Sequence, residues 1–249
     1  GGIVALAWHL YARDHPEEHP GVNAEELKVI YRERETGDAP ARRKSNPKAP
    51  VPWRAMLSSR SAWALILSYF FIAFPAYIYY TWFFIYLIRV RGLSVAQTGL
   101  WGSTPFIAII LLAPLGGWLS DRLVARVGVR GGRRYAIWVG VGFSAIMLPA
   151  GGYVANNTLA ILLLAGASGF NLFATTIWWA TCNDIAPNFS GSLSGLMNMS
   201  GNLGGWLSPI LTAAIFTHFG WNMAFDFAGL MTLTSGLLWF AVKADETLE

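Results

Sequence analysis

The chain has 249 residues, 54% of them hydrophobic and only 13% charged, where a soluble domain carries roughly a quarter charged residues. Its net charge of +4 comes from residues that lie, but for one aspartate, between long apolar runs, which points to membrane topology and away from nucleic-acid binding. One cysteine, Cys182, rules out an internal disulfide, and the four histidines show no metal-ligand spacing.

In chain order, residues 1–12 are apolar and end at Arg13-Asp-His-Pro. They read as the tail of a preceding transmembrane helix, so the sequence reads as part of a larger protein. Residues 13–60 form a hydrophilic connector. Its Glu17–Glu35 part has mixed charges at helical spacing and predicts a short surface helix, while residues 39–52 are rich in proline and cations and predict an extended segment. Six windows of about 20 or more apolar residues follow, each enough to cross roughly 30 Å of hydrocarbon. They lie at about 62–88, 96–119, 135–155, 158–182, 192–217 and 222–242. Their only Asp, Glu, Lys or Arg is Asp226, which reads as an acid favoured near a helix start. Ser94 and Thr158 are the expected N-caps. Pro75, Pro105, Pro149 and Pro209 are expected to kink spans. The fold class is an all-α membrane protein, a six-helix bundle over residues 61–243 with a short tail at 244–249.

Lys and Arg number ten in residues 13–60, five in the break at 120–134 and one in the tail, against two (Arg89 and Arg91) on the opposite side. The positive-inside rule then puts connector, arginine-rich break and C-terminus in the cytoplasm. That break holds Asp121 with Arg122, Arg126, Arg130, Arg133 and Arg134. Asp121 is expected to hold a helix end or one of Arg122, Arg133 and Arg134, as a latch at the inner gate.

The fifth window has the best organised face. Gly191, Gly195, Asn198, Asn202, Gly205 and Pro209 recur at spacings of 4, 3, 4, 3 and 4, with Ser194, Gly201, Gly204 and Ser208 beside them. Small residues there predict close helix packing. The amides of Asn198 and Asn202 need partners or a water-filled cavity. The fourth window carries Asn171, Thr175, Thr176, Trp178, Trp179 and Cys182, of which one tryptophan must point away from the other. A tryptophan with hydroxyls one turn back suits a sugar-like ligand. In the first window Tyr79 and Tyr80 lie mid-span, just past Pro75, and are candidates to line a pathway. Gly140-Val-Gly-Phe-Ser-Ala145 imitates a dinucleotide motif but lies within a span with no strand before it. Asn156-Asn-Thr158 is a glycosylation sequon. Asp184 and Asp226 look too isolated for a membrane-embedded enzyme, and nothing suggests a cofactor.

Gly117-Trp-Leu-Ser-Asp121-Arg122, closed by Arg133-Arg134, resembles the signature between the second and third helices of each half of a major facilitator superfamily transporter. Arg13-Asp-His-Pro-Glu-Glu-His-Pro20 and the run Ala186–Pro209 are similar to its anion:cation symporter branch, the carriers of galactonate, glucarate, hexuronates, tartrate and phthalate. The resemblance implies the C-terminal half of a twelve-helix fold, joined by the connector to an N-terminal half that carries the anion-binding arginine and proton-carrying acids. It also implies substrate contacts from Thr176, Trp179, Asn198 and Tyr79 or Tyr80. The expected activity is alternating-access, proton-coupled import of a sugar acid or related organic anion across the inner (plasma) membrane. Efflux of drugs or metabolites, or a sensor derived from a carrier, are the alternatives.

Overall fold

The computed structural model describes residues 1–13, 16–35 and 51–248, with side chains of 30–35 left aside. Most of the expected extended segment at 39–52 falls outside the described residues. Two units are distinct, residues 1–49 and 50–249. In the first, α1 (Gly2–Tyr11) is a short apolar helix exposed along its length, and α2 (Ala24–Glu35) is capped by Asn23, whose Oδ1 accepts from the Glu26 amide at 2.8 Å.

The second unit is α-helical throughout its regular structure: α3 (Trp53–Ser58), α4 (Arg60–Thr81), α5 (Phe83–Arg89), α6 (Val95–Trp101), α7 (Thr104–Tyr153), α8 (Asn157–Ile185), α9 (Ser190–Phe219) and α10 (Trp221–Leu238). Arg60–Thr81, Val95–Tyr153 and Asn157–Ile185 are each long and apolar enough to cross a membrane. The second of these holds two of the predicted windows. α9 and α10 are long enough, at 30 and 18 residues, but α9 spends much of its length on Gly, Ser and Asn.

The arginine-rich break is not an open loop. Helix runs up to Gly128 and resumes after it, and Gly128 alone leaves helical geometry (φ 80, ψ 168), a conformation glycine adopts without a Cβ clash. The two halves of α7 meet so closely there that a Cβ on Gly132 would strike the Val124 amide. Gly220 (φ 85) reverses the chain between α9 and α10 in the same way.

Several local expectations are corrected. Asn156, not Thr158, caps α8, its Oδ1 accepting from the Leu159 amide at 2.9 Å. Pro105 sits in the first turn of α7, where proline costs no helical hydrogen bond, and Pro114 is the interior proline of that stretch. Asp226 is outside the first turn of α10; Tyr153 donates to its Oδ2 at 2.7 Å, so a side-chain partner explains it better than the helix dipole.

α7 packs on α8 and α10, and α4 on α9, α10 and α8. The seams depend on glycine: Gly116 faces the Phe173 carbonyl, Gly169 the Ala108 carbonyl and Gly204 the Phe70 carbonyl. Trp178 is fully buried, donates from Nε1 to Ser68 Oγ at 2.8 Å and stacks edge-on against Trp239 at 5.1 Å. A buried indole N–H without such an acceptor would be costly.

Candidate functional site

Three helices build a cleft of about 220 Å³. α4 supplies Tyr69, Ile72, Ala73, Ala76, Tyr77 and Tyr80; α8 supplies Asn171, Leu172 and Thr175; α9 supplies Asn198, Gly201 and Asn202. No side chain in this lining carries a charge at neutral pH.

The backbone of α4 explains much of the arrangement. Pro75 lies inside α4 and has no N–H, so the helical bond to the Phe71 carbonyl is missing there. Asn171 Nδ2 donates to the Ile72 carbonyl at 3.1 Å and Ser208 Oγ to the Phe74 carbonyl at 2.7 Å. These two bonds tie α8 and α9 to the stretch of α4 around Pro75 and put the wall residues opposite one another.

On the α9 side, Tyr77 Oη donates to Asn202 Oδ1 at 3.1 Å, and Asn202 Nδ2 donates to the Asn198 carbonyl at 2.8 Å. Among the described residues the Asn198 carboxamide has no hydrogen-bond partner, and Asn198 is an exposed residue lining the cleft. On the α8 side, Trp179 Nε1 donates to Tyr69 Oη at 3.1 Å, with the rings edge-to-face at 6.2 Å.

The candidate substrate residues therefore divide. Tyr80, Asn171, Asn198 and Asn202 share the cleft. Trp179 is 42% exposed and reaches it through Tyr69. Thr176 is absent from the lining and donates back to the Phe173 carbonyl at 2.8 Å. Tyr79 turns inward, its hydroxyl taken by the Leu164 carbonyl, and borders neighbouring recesses instead. Tyr69, Tyr77 and Thr175 complete the wall. Tyr69 and Tyr77 belong to a span rich in aromatic side chains, and helical spacing from Tyr80 (three back to Tyr77) is the sequence signal that points to Tyr77.

At one end of the bundle, Arg133 is almost fully buried. Its Nη1 donates to Asp121 Oδ1 and to Ser120 Oγ, both at 2.8 Å, and its Nε to Asp184 Oδ2 at 2.8 Å. Burial disfavours its charge, but the Asp184 and Asp121 carboxylates outweigh that and raise its pKa above the ordinary arginine value. Of the three arginines considered for the latch, Arg133 alone meets Asp121. Arg122 lies over the Trp118 ring at 5.2 Å, and Arg134 donates to the Phe240 and Val242 carbonyls. Asp184, dismissed as isolated, is the better buried carboxylate, its side chain 17% exposed against 73% for Asp121.

At the other end, Arg91 donates to the carbonyls of Val154, Gly151 and Gly152 and to Tyr86 Oη. It closes the α5–α6 turn onto the end of α7. Among the described residues no group of three or more His, Cys, Asp or Glu is placed to hold a metal.

The sequence matches the Major Facilitator Superfamily over residues 1–209 and again over 91–248. The chain belongs to that superfamily. It is 29% identical over 240 residues to a chloroplastic ascorbate transporter of Arabidopsis thaliana, covering 96% of this chain and 43% of that protein. It is also 29% identical to a chloroplastic sodium-dependent phosphate transport protein of the same plant, over 100% of this chain and 47% of the relative. A probable sulfoacetate transporter of Cupriavidus necator is 29% identical over 92% of this chain and 53% of its own length. The chain thus spans about half the length of the curated relatives it matches. Membership in the major facilitator superfamily makes this helical bundle one half of a transporter fold, in a multi-pass membrane protein, and not an enzyme.

Proposed function

We propose that the chain is the C-terminal half of a secondary transporter that imports a small organic anion, a sugar acid or related carboxylate, by alternating access with proton coupling. The cleft carries this reading: amides, hydroxyls and aromatic faces converge there with no cation among them. Such a wall hydrogen-bonds the neutral, hydroxylated part of a substrate and leaves the carboxylate to the facing N-terminal half. The relatives' names, all of anion carriers, support the substrate class. In this scheme residues 13–60 connect the halves, the Arg133 end is cytoplasmic in the inner membrane, and the Arg133–Asp121–Asp184 cluster latches the inner gate. The substrate sits at the midplane between two rocking halves.

The full-length protein in liposomes tests this by uptake of labelled galactonate under an inward proton gradient, an inward sodium gradient or neither. Uptake should follow the proton gradient. Uptake driven by sodium alone, or indifferent to both, overturns proton coupling, and phosphate uptake without galactonate uptake overturns the sugar-acid assignment. Asn198→Ala should raise the half-saturating galactonate concentration about tenfold, the loss of one buried hydrogen bond.

A further inference from the structure

Beside the central cleft, towards the Arg91 end, lies a second cavity of about 390 Å³. It opens where two helices are interrupted: α4 gives way to α5 at Trp82, and α6 to α7 at Gly102 and Ser103. Its aromatic walls include Tyr80, Phe84 and Phe106, and α6 contributes Thr98 and Gly99. Tyr80 is shared with the central cleft, so one ring stands between the two spaces.

Thr98 distinguishes this cavity from an ordinary packing gap. A helical threonine in an apolar setting normally returns its hydroxyl to a carbonyl one turn back. Thr81, Thr175 and Thr181 do so here, at 2.6–2.9 Å. Thr98 is fully buried, yet among the described residues its Oγ1 has no hydrogen-bond partner. A buried hydroxyl left unpaired is destabilising unless something else satisfies it. The cavity it lines is large enough for a small organic molecule.

We propose that this cavity is a second subsite for polyhydroxylated organic anions, separated from the central cleft by Tyr80. It rests on the transport reading above for the ligand class. No charged side chain lines it, so it takes the polyol end of the ligand and leaves the carboxylate outside. The faces of Tyr80, Phe84 and Phe106 pack against the C–H surfaces of the chain, and Thr98 supplies the hydrogen bond that fixes its register.

The test is thiol protection in the full-length protein. Gly99→Cys puts a thiol in open space at the cavity wall, and Ser103→Cys serves if the first variant folds poorly. Cys182 is buried and contributes little background; other reactive cysteines of the full-length protein are replaced. Galactonate should slow labelling by a small maleimide, and Thr98→Val should raise the half-protecting concentration about tenfold. Asn198→Ala should leave protection in place. Labelling unaffected by galactonate, although the protein transports it, overturns the subsite and leaves the transport reading intact. Protection abolished by Asn198→Ala also overturns it, because the thiol then only reports occupancy of the central cleft. Protection by octanol in place of galactonate overturns it in favour of a lipid-facing gap. Protection by galactonate without uptake sustains the subsite and sinks the transport reading.

Discussion

Arg133 is held by two carboxylates of very different standing. Asp121 belongs to the arginine-rich signature and was the expected partner. Asp184 lies 51 residues away at the end of α8 and no local pattern joins it to the break. Burial decides which matters more. Asp121 is largely in solvent, where an ion pair contributes about 0–1 kcal/mol. Asp184 is mostly enclosed, so removing its charge leaves Arg133 with one exposed partner, a loss on the order of 2 kcal/mol after allowing for partial exposure. Asp184→Asn should therefore lower the thermal midpoint of the full-length protein in detergent by several degrees, and Asp121→Asn by clearly less. Equal shifts would show that signature position outranks burial. The cluster is also insensitive to alkaline pH from the arginine side. A raised arginine pKa contributes stability that is fully present below the ordinary arginine range and is lost only as pH climbs from there through the raised value.

At the level of elements, the helical stretches Arg60–Thr81, Val95–Tyr153 and Asn157–Ile185 were legible because each contains an apolar run long enough to cross a membrane. The face of α9 was legible as a stripe, but not what each part of it meets. Periodicity groups residues on one side of a helix and is silent about the neighbour. In the structure the stripe divides. Gly205, with Gly201 and Gly204 beside it, lies in a seam against Tyr77, Tyr69 and Phe70 of α4, whereas Gly191 and Gly195 face open space. A methyl at Gly204 would meet a backbone carbonyl that cannot swing aside, while one at Gly195 would meet nothing. Gly204→Ala should destabilise the protein by about 1–3 kcal/mol, as overpacking does. Gly195→Ala should be neutral or stabilising by up to about 1 kcal/mol, from helix propensity. Paired thermal melts of the two variants measure the contrast, and comparable losses would mean that the seam extends further along α9 than Gly201. The cleft was half legible for the same reason. Asn198, Asn202, Asn171 and Tyr80 stood out as polar or aromatic groups within hydrocarbon. The Tyr69–Trp179 and Tyr77–Asn202 pairs join residues 110 and 125 positions apart, which only the packing of α4 against α8 and α9 brings together.

Across the whole second unit, the Arg133 end is closed by a segment that no sequence pattern announced. After α10 the chain folds back: the Lys243 amide donates to Ser61 Oγ at 2.9 Å, and the Leu248 amide to the Ile185 carbonyl at 2.9 Å. Arg134 holds the Phe240 and Val242 carbonyls, and Val242 and Ala244 are buried. The start of α4, the turn of α7 and the end of α8 are thereby joined at one place, next to Asp184. A short apolar and polar tail of this kind carries no periodicity, so composition marks it only as a tail. If it braces the helix ends, deleting residues 244–248 removes the Leu248 bond and the buried Ala244 together. Amide hydrogen exchange should then rise at 59–63 and 185–189 in the full-length protein. Exchange at 198–205, which the α4–α9 seam protects independently, should stay as it was. Unchanged exchange at 59–63 and 185–189 would show that the strap rests on the helix ends without bracing them, and a rise spread over all three segments would show that it stabilises the bundle as a whole.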